Sequence, residues 1–175
     1  MLFKKQMIRL KYSFRLNLIT SDDILKTKID NNFINIIDVN FKFKKTFDKI
    51  TDNSNSYIKN CFKIAIKILE NNICSGFING PISKKNFLKN KFYGVTEYLA
   101  HETNKKNKVA MLIYNKNLSV SPITTHLPLK EVHKHLNKKK IINNVKLITQ
   151  FYKKKLKKNP KIAITGLNPH CESNY

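Results

Sequence analysis

The sequence is short of arginine, of acidic residues and of long apolar runs, and each shortage removes a class of protein. No stretch approaches the roughly 18 uninterrupted apolar residues of a membrane helix, so no membrane partner is expected. The opening Met1-Leu2-Phe3-Lys4-Lys5 leads into neither a long apolar run nor a small-residue cleavage site, which speaks against a secretory signal. Cys61, Cys74 and Cys171 have no short pairing pattern and are odd in number, as expected of reduced thiols in a cytoplasmic protein. The chain has no internal repeat, no Gly/Ser linker, no G-x-G-x-x-G and no Walker motif.

What is abundant is lysine. The 34 Lys plus Arg against 11 Asp plus Glu give a formal charge of +23, and all but Arg9 and Arg15 are lysine. Lysine supplies a point charge where geometric recognition of phosphates or bases favours the guanidinium fork. With so much Asn and Ile alongside, the excess reads as compositional drift, so no specific nucleic-acid partner is expected beyond salt-sensitive adhesion to polyanions. The 175 residues, 41% of them hydrophobic, suit one folded domain.

Apolar residues alternate strictly from Ile8 to Leu18, which predicts a half-buried strand, and Ile34 to Val39 predicts a shorter one. Tyr57, Cys61, Ile64, Ala65 and Ile68 recur at helical spacing, giving a helix over Tyr57 to Leu69 with Ser54 or Asn55 as its cap. Ile73 to Asn79 reads as a strand ended by Gly80-Pro81. A short helix from Ser83 to Leu88 and another from Thr96 to Thr103 follow. Val109 to Tyr114 and Leu118 to Thr125 read as strands, the second ending at His126. Helices are expected from about Leu129 to Lys138 and from about Ile141 to Leu156, the latter stopped by Pro160, and Lys161 to Thr165 as a last strand. The runs Lys138-Lys139-Lys140 and Lys153-Lys154-Lys155 are expected near helix C-termini, where the dipole favours them. Strands alternating with helices indicate an α/β layered domain. The chain stops soon after its last expected strand with no helix to cover it, as an incomplete copy of a longer fold would.

His126 and His170 each follow an expected strand, and ligands of open α/β sheets bind beyond the carboxyl ends of strands. Two imidazoles at one edge can share zinc, cobalt or a similar ion, although a catalytic site needs about three protein ligands; each is equally readable as a loop residue bonded to backbone. His133 and His135, two apart on a helix, face different sides and read as surface residues, as does His101. Ser83 and Lys84 sit at a strand-to-helix turn where free N–H groups favour an anion, making them candidate anion-binding residues, and Gly80-Pro81 is equally a plain turn.

Gly80-Pro81-Ile82-Ser83-Lys84, Gly94-Val95-Thr96-Glu97-Tyr98-Leu99-Ala100, Thr124-Thr125-His126-Leu127-Pro128-Leu129 and Gly166-Leu167-Asn168-Pro169-His170 occur in the order and approximate spacing of the 4-hydroxythreonine-4-phosphate dehydrogenase family of vitamin B6 biosynthesis. The chain resembles that family from about Ile34 to Asn174. The resemblance implies a truncated, layered α/β/α fold similar to isocitrate and isopropylmalate dehydrogenases, with residues 1–175 as a single partial domain. It implies a homodimer, NAD or NADP, and a divalent metal (Zn, Mg or Co).

The resemblance also implies that His126 and His170 are two of three metal-binding histidines and that Thr96 contacts substrate. The family has a histidine just before that threonine; here it is Val95. The family's Gly-rich opening and its later half, with the third metal histidine, are absent, and Cys171-Glu172-Ser173 replaces its usual Ala-Gly-Glu. The implied activity is NAD(P)-dependent, metal-assisted oxidation of 4-phosphooxy-L-threonine with decarboxylation to 3-amino-2-oxopropyl phosphate. A paralogous dehydrogenase of another phosphorylated four-carbon hydroxy acid, and a catalytically silent fragment, are the alternatives.

Overall fold

The computed structural model describes residues 1–20, 23–24, 29–106 and 108–168, and they form a mixed α/β structure in two compact units, Met1–Lys91 and Phe92–Tyr175. In the first unit, α1 (Leu2–Arg9) precedes a parallel pair of strands, β1 (Leu16–Ile19) and β2 (Ile34–Ile37), in the register Leu16 to Ile34 and Ile19 to Ile37. The expected strand from Ile8 to Leu18 is thus mostly wrong. Ile8 and Arg9 belong to α1, and Lys11 then turns left-handed at φ 59°. The Tyr12 amide donates to the Met7 carbonyl and the Lys11 amide to the Ile8 carbonyl, a Schellman closure that a strand through Leu10 to Tyr12 cannot share.

The helix α2 (Asn55–Glu70) forms as expected, entered by a 3-10 turn at Asp52–Ser54, although neither expected cap makes a capping bond: Ser54 occupies the N-cap but its hydroxyl donates to the Thr51 carbonyl. Phe62 is the buried residue of α2 and lies between Phe77 and Phe87, the latter on α3 (Lys84–Leu88). The expected strand from Ile73 to Asn79 is not formed. Asn72 is left-handed and the Ile73 amide is taken by the Ile68 carbonyl, again closing a helix, while Ile78 is left 97% exposed.

The second unit begins with α4 (Val95–Glu102), one residue earlier than the sequence pattern suggests, with Phe92 edge-on to Tyr98. The two strands expected between Val109 and Thr125 shrink to a single antiparallel bridge between Ile113 and Val120. Helix α6 (Lys138–Phe151), continued by a π turn at Tyr152–Leu156, is clipped to that bridge: the Tyr152 hydroxyl donates to Ser119 Oγ and the Asn144 amide to Ser121 Oγ, both at 2.9 Å.

The helix expected over 129–138 breaks in two. A 3-10 turn at Leu129–Glu131 leads into α5 (Val132–His135), and Asn137 then adopts extended backbone so that its side chain caps α6 by accepting the Lys140 amide at 2.9 Å. Lys138, Lys139 and Lys140 therefore crowd the positive N-terminal end of α6, the opposite of the favourable C-terminal placement expected, whereas Lys153–Lys155 do lie in a last turn. Residues 161–165 pair with no strand among the described residues, and Ile164 is 65% exposed. No helix among the described residues is long and apolar enough to cross a membrane.

Candidate functional site

Gly94 opens α4 in extended backbone at φ −160°, and the residues singled out by the sequence occupy the turn that follows. Val95 is half-buried at the first helical position and Thr96 exposed at the second. Glu97, at the third, folds its carboxylate back over Gly94. A Cβ on residue 94 would stand 2.9 Å from Glu97 Oε2 and 3.7 Å from His126 Nε2, so both side chains face the one spot that glycine leaves clear. Glu97 Oε2 is buried and has no hydrogen-bond partner among the described residues.

His126 reaches this spot from a bend at φ 57°, not from the end of a strand as expected. Six other described non-glycine residues share this left-handed conformation, so here it sets the direction of the side chain without marking the site by itself. Tyr93 stacks on the His126 ring at 6.5 Å between centroids and 18° between planes. Burial raises the pKa of Tyr98 in the same helix, with the Glu102 charge adding to it, so its phenol stays neutral. His101 is exposed and edge-on to Phe92, and His133 and His135 are exposed, as their spacing suggested.

His170, the other expected metal ligand, lies outside the described residues, as does Cys171. Among the described residues no group of three or more His, Cys, Asp or Glu could hold a metal ion. A divalent cation nevertheless fits what is present: an imidazole nitrogen, an orphaned carboxylate oxygen and a clearing that a Cβ would fill. Nicotinamide coenzymes find no such match. Gly76 and Gly80 stand in open space with nothing within 4 Å of a would-be Cβ, so neither marks a cradle that a coenzyme would fill.

In the first unit Ser83 is the N-cap of α3. Its hydroxyl accepts the Asn86 amide at 3.4 Å and donates to Asn86 Oδ1 at 2.7 Å, so it is engaged in holding the helix, while Lys84 is exposed. Nearby, Lys89 donates to the Asp52 carboxylate and holds its pKa below the ordinary value.

The sequence pattern quoted Glu97 within a block but gave it no role. The signal was there: a glutamate three residues after an N-cap is placed to fold back over the helix start.

A family model described as pyridoxal phosphate biosynthetic protein PdxA matches residues 1–174, reaching further toward the N-terminus than the motif blocks do. A 4-hydroxythreonine-4-phosphate dehydrogenase of Sulfurihydrogenibium sp. (strain YO3AOP1) is 37% identical over 156 residues, which cover 87% of this chain and 46% of that protein. The relative of the same name in Aquifex aeolicus (strain VF5) is 39% identical over 98 residues, 55% of this chain and 30% of its own. That of Neisseria meningitidis (strain DSM 15465 / Z2491) is 32% identical over 129 residues, 70% of this chain and 39% of its own. The chain spans no more than about half the length of these relatives.

Proposed function

We propose, from the premise that the chain belongs to the pyridoxal phosphate biosynthetic protein PdxA family, that it is part of an enzyme oxidising 4-phosphooxy-L-threonine in vitamin B6 biosynthesis. The observation that carries this is the family match along nearly the whole chain. Oxidation of the substrate hydroxyl leaves a ketone beta to the carboxylate, which loses carbon dioxide readily and yields 3-amino-2-oxopropyl phosphate. The layered fold of isocitrate and isopropylmalate dehydrogenases and a homodimer belong to the same proposal.

His126 and His170 hold a divalent ion in this account, zinc, magnesium or cobalt. A bound cation supplies Lewis-acid stabilisation of the charge that develops as the hydroxyl is oxidised. Thr96, exposed on the first turn of α4, orients the substrate through its hydroxyl, and Lys84 beside the Ser83 cap is a candidate anion-binding residue of the first unit. NAD or NADP is the coenzyme that the family implies, and no step is derived for it from this chain's residues.

Val95 favours a second reading. An apolar side chain where the family carries histidine removes a hydrogen-bonding group beside Thr96, which suits a related phosphorylated four-carbon hydroxy acid lacking the matching polar group.

The test joins this chain in frame to the remaining C-terminal part of the Sulfurihydrogenibium relative and follows reduced-nicotinamide absorbance with NAD or NADP, a divalent metal and 4-phosphooxy-L-threonine. Turnover that His126→Ala abolishes is expected, with none from the 175-residue chain alone. A folded hybrid that turns over equally well without His126 would overturn the assignment.

A further inference from the structure

We propose that Glu97 is a cation-facing carboxylate that works with His126, its Oε2 and the His126 Nε2 jointly seating a divalent ion over Gly94. The proposal rests on the reading of His126 as a metal-holding residue and adds a donor that none of the family blocks supplied a role for. Three observations carry it.

First, Oε2 of Glu97 is buried with no hydrogen-bond partner among the described residues. A carboxylate oxygen removed from water without compensation is costly, and a protein keeps one there when something absent from the bare chain satisfies it. The chain carries 34 lysines and arginines against 11 acids, so partners of opposite charge are abundant, yet among the described residues none bonds this oxygen.

Second, the oxygen and the His126 nitrogen converge. Both lie beside the same point: a Cβ of residue 94 would be 3.7 Å from the nitrogen, an ordinary contact, and 2.9 Å from the oxygen, closer than a Cβ tolerates. Oxygen and imidazole donors bind zinc at about 2.0–2.2 Å, so seating one ion between them requires the exposed His126 side chain to turn toward Oε2.

Third, the clearing exists because residue 94 is glycine, and backbone geometry does not explain the choice: φ −160° is extended backbone open to any residue. The space itself is what a side chain would remove. A glutamate at the third helical position commonly bonds the N-cap amide, but that role engages one oxygen and leaves Oε2 as it is found here.

The experiment is a calorimetric titration of the 175-residue chain with Co²⁺, comparing wild type with Glu97→Gln, Gly94→Ala and His126→Ala, with metal-free thermal melting of each as a folding control. Glu97→Gln keeps the shape and removes the charge. It is expected to weaken Co²⁺ binding about tenfold or more with its metal-free melting temperature unchanged, and Gly94→Ala to weaken it as well. A pure capping role predicts the reverse, a lowered melting temperature with Co²⁺ affinity unmoved, and overturns the proposal. Loss of affinity in His126→Ala alone leaves His126 as a metal residue and removes Glu97. Binding unaltered by any of the three, or no binding in the wild type, overturns both assignments.

Discussion

Phe62 stacks on Phe87 with ring centroids 5.6 Å apart and planes inclined by 22°, joining α2 to α3, and Phe77 meets the other ring edge at 5.7 Å. At 4% exposure Phe62 is among the few buried side chains described in the first unit. Its replacement by alanine is expected to cost about 3–5 kcal/mol, since both the transferred ring and the cavity count against the fold. Phe77→Ala, at a site 37% exposed, should cost clearly less. Urea unfolding followed by aromatic circular dichroism decides it; equal losses at the two positions would show that the stack does not organise the unit.

Left-handed backbone in this chain falls to lysine, asparagine and histidine, and to no glycine among the described residues. Lys11 and Lys157 each close a helix in that conformation, at φ 59° and 55°. Lys11→Gly and Lys157→Gly should each stabilise by about 1 kcal/mol, because a Cβ in the left-handed region costs about 1–2 kcal/mol and glycine's extra freedom in the unfolded chain offsets only part of that. Lys63→Gly, in the middle of α2, should lose about 1 kcal/mol. Melting curves that fall for all three would refute the closure geometry.

Asn137 carries the start of α6 against three adjacent lysines. Removing its side chain with alanine should cost about 1 kcal/mol. Aspartate should equal or exceed asparagine there, since a negative cap also offsets Lys138–Lys140 at the positive helix end. A helix unaffected by alanine in far-ultraviolet dichroism during urea unfolding would argue that packing alone holds this end.

Burial pushes the Tyr57 hydroxyl up to about 12, helped by Cys61 and by the Asp38 charge. The folded state therefore holds a proton that the unfolded state releases at about 10. Stability from this group is complete below pH 10 and declines as pH rises toward 12. Cys61, also raised by burial, adds a decline that starts lower. Tyr57→Phe should remove the upper part of the loss, measured as the difference in urea midpoint between the two proteins across that range.

Lys84→Ala, in the joined enzyme described above, should raise the Michaelis constant for the phosphorylated substrate while leaving the melting temperature in place, because its side chain is exposed. An unchanged constant reduces Lys84 to a surface charge.

Helices α2, α3, α4 and α6 were legible because their determinants are local. The apolar spacing of α2, the Ser83 cap of α3 and the stripe along α6 are all present within a dozen residues of sequence. Strands are defined by a partner, and alternation does not name one. The run from Ile8 to Leu18 alternates well, yet Lys11 closes a helix inside it, and the apolar segments at 73–79 and 161–165 stay unpaired among the described residues. The neighbourhood of the site was readable in the same uneven way. Gly94 and Thr96 announce a helix start, and the glutamate between Thr96 and Tyr98 announces a side chain folded over it. That His126 would arrive from a left-handed bend depends on the packing of its loop, which no spacing records.

The parallel pair of Leu16–Ile19 and Ile34–Ile37 has a consequence for handling this chain. In a sheet of two strands each strand has one ladder and one bare flank, so among the described residues the sheet is all border. A bare flank is a template that accepts whichever extended segment reaches it first, and another molecule competes for it in proportion to its concentration. Solubility of the isolated chain is therefore a kinetic contest at this border, and dilution, more than added stability, decides which side wins.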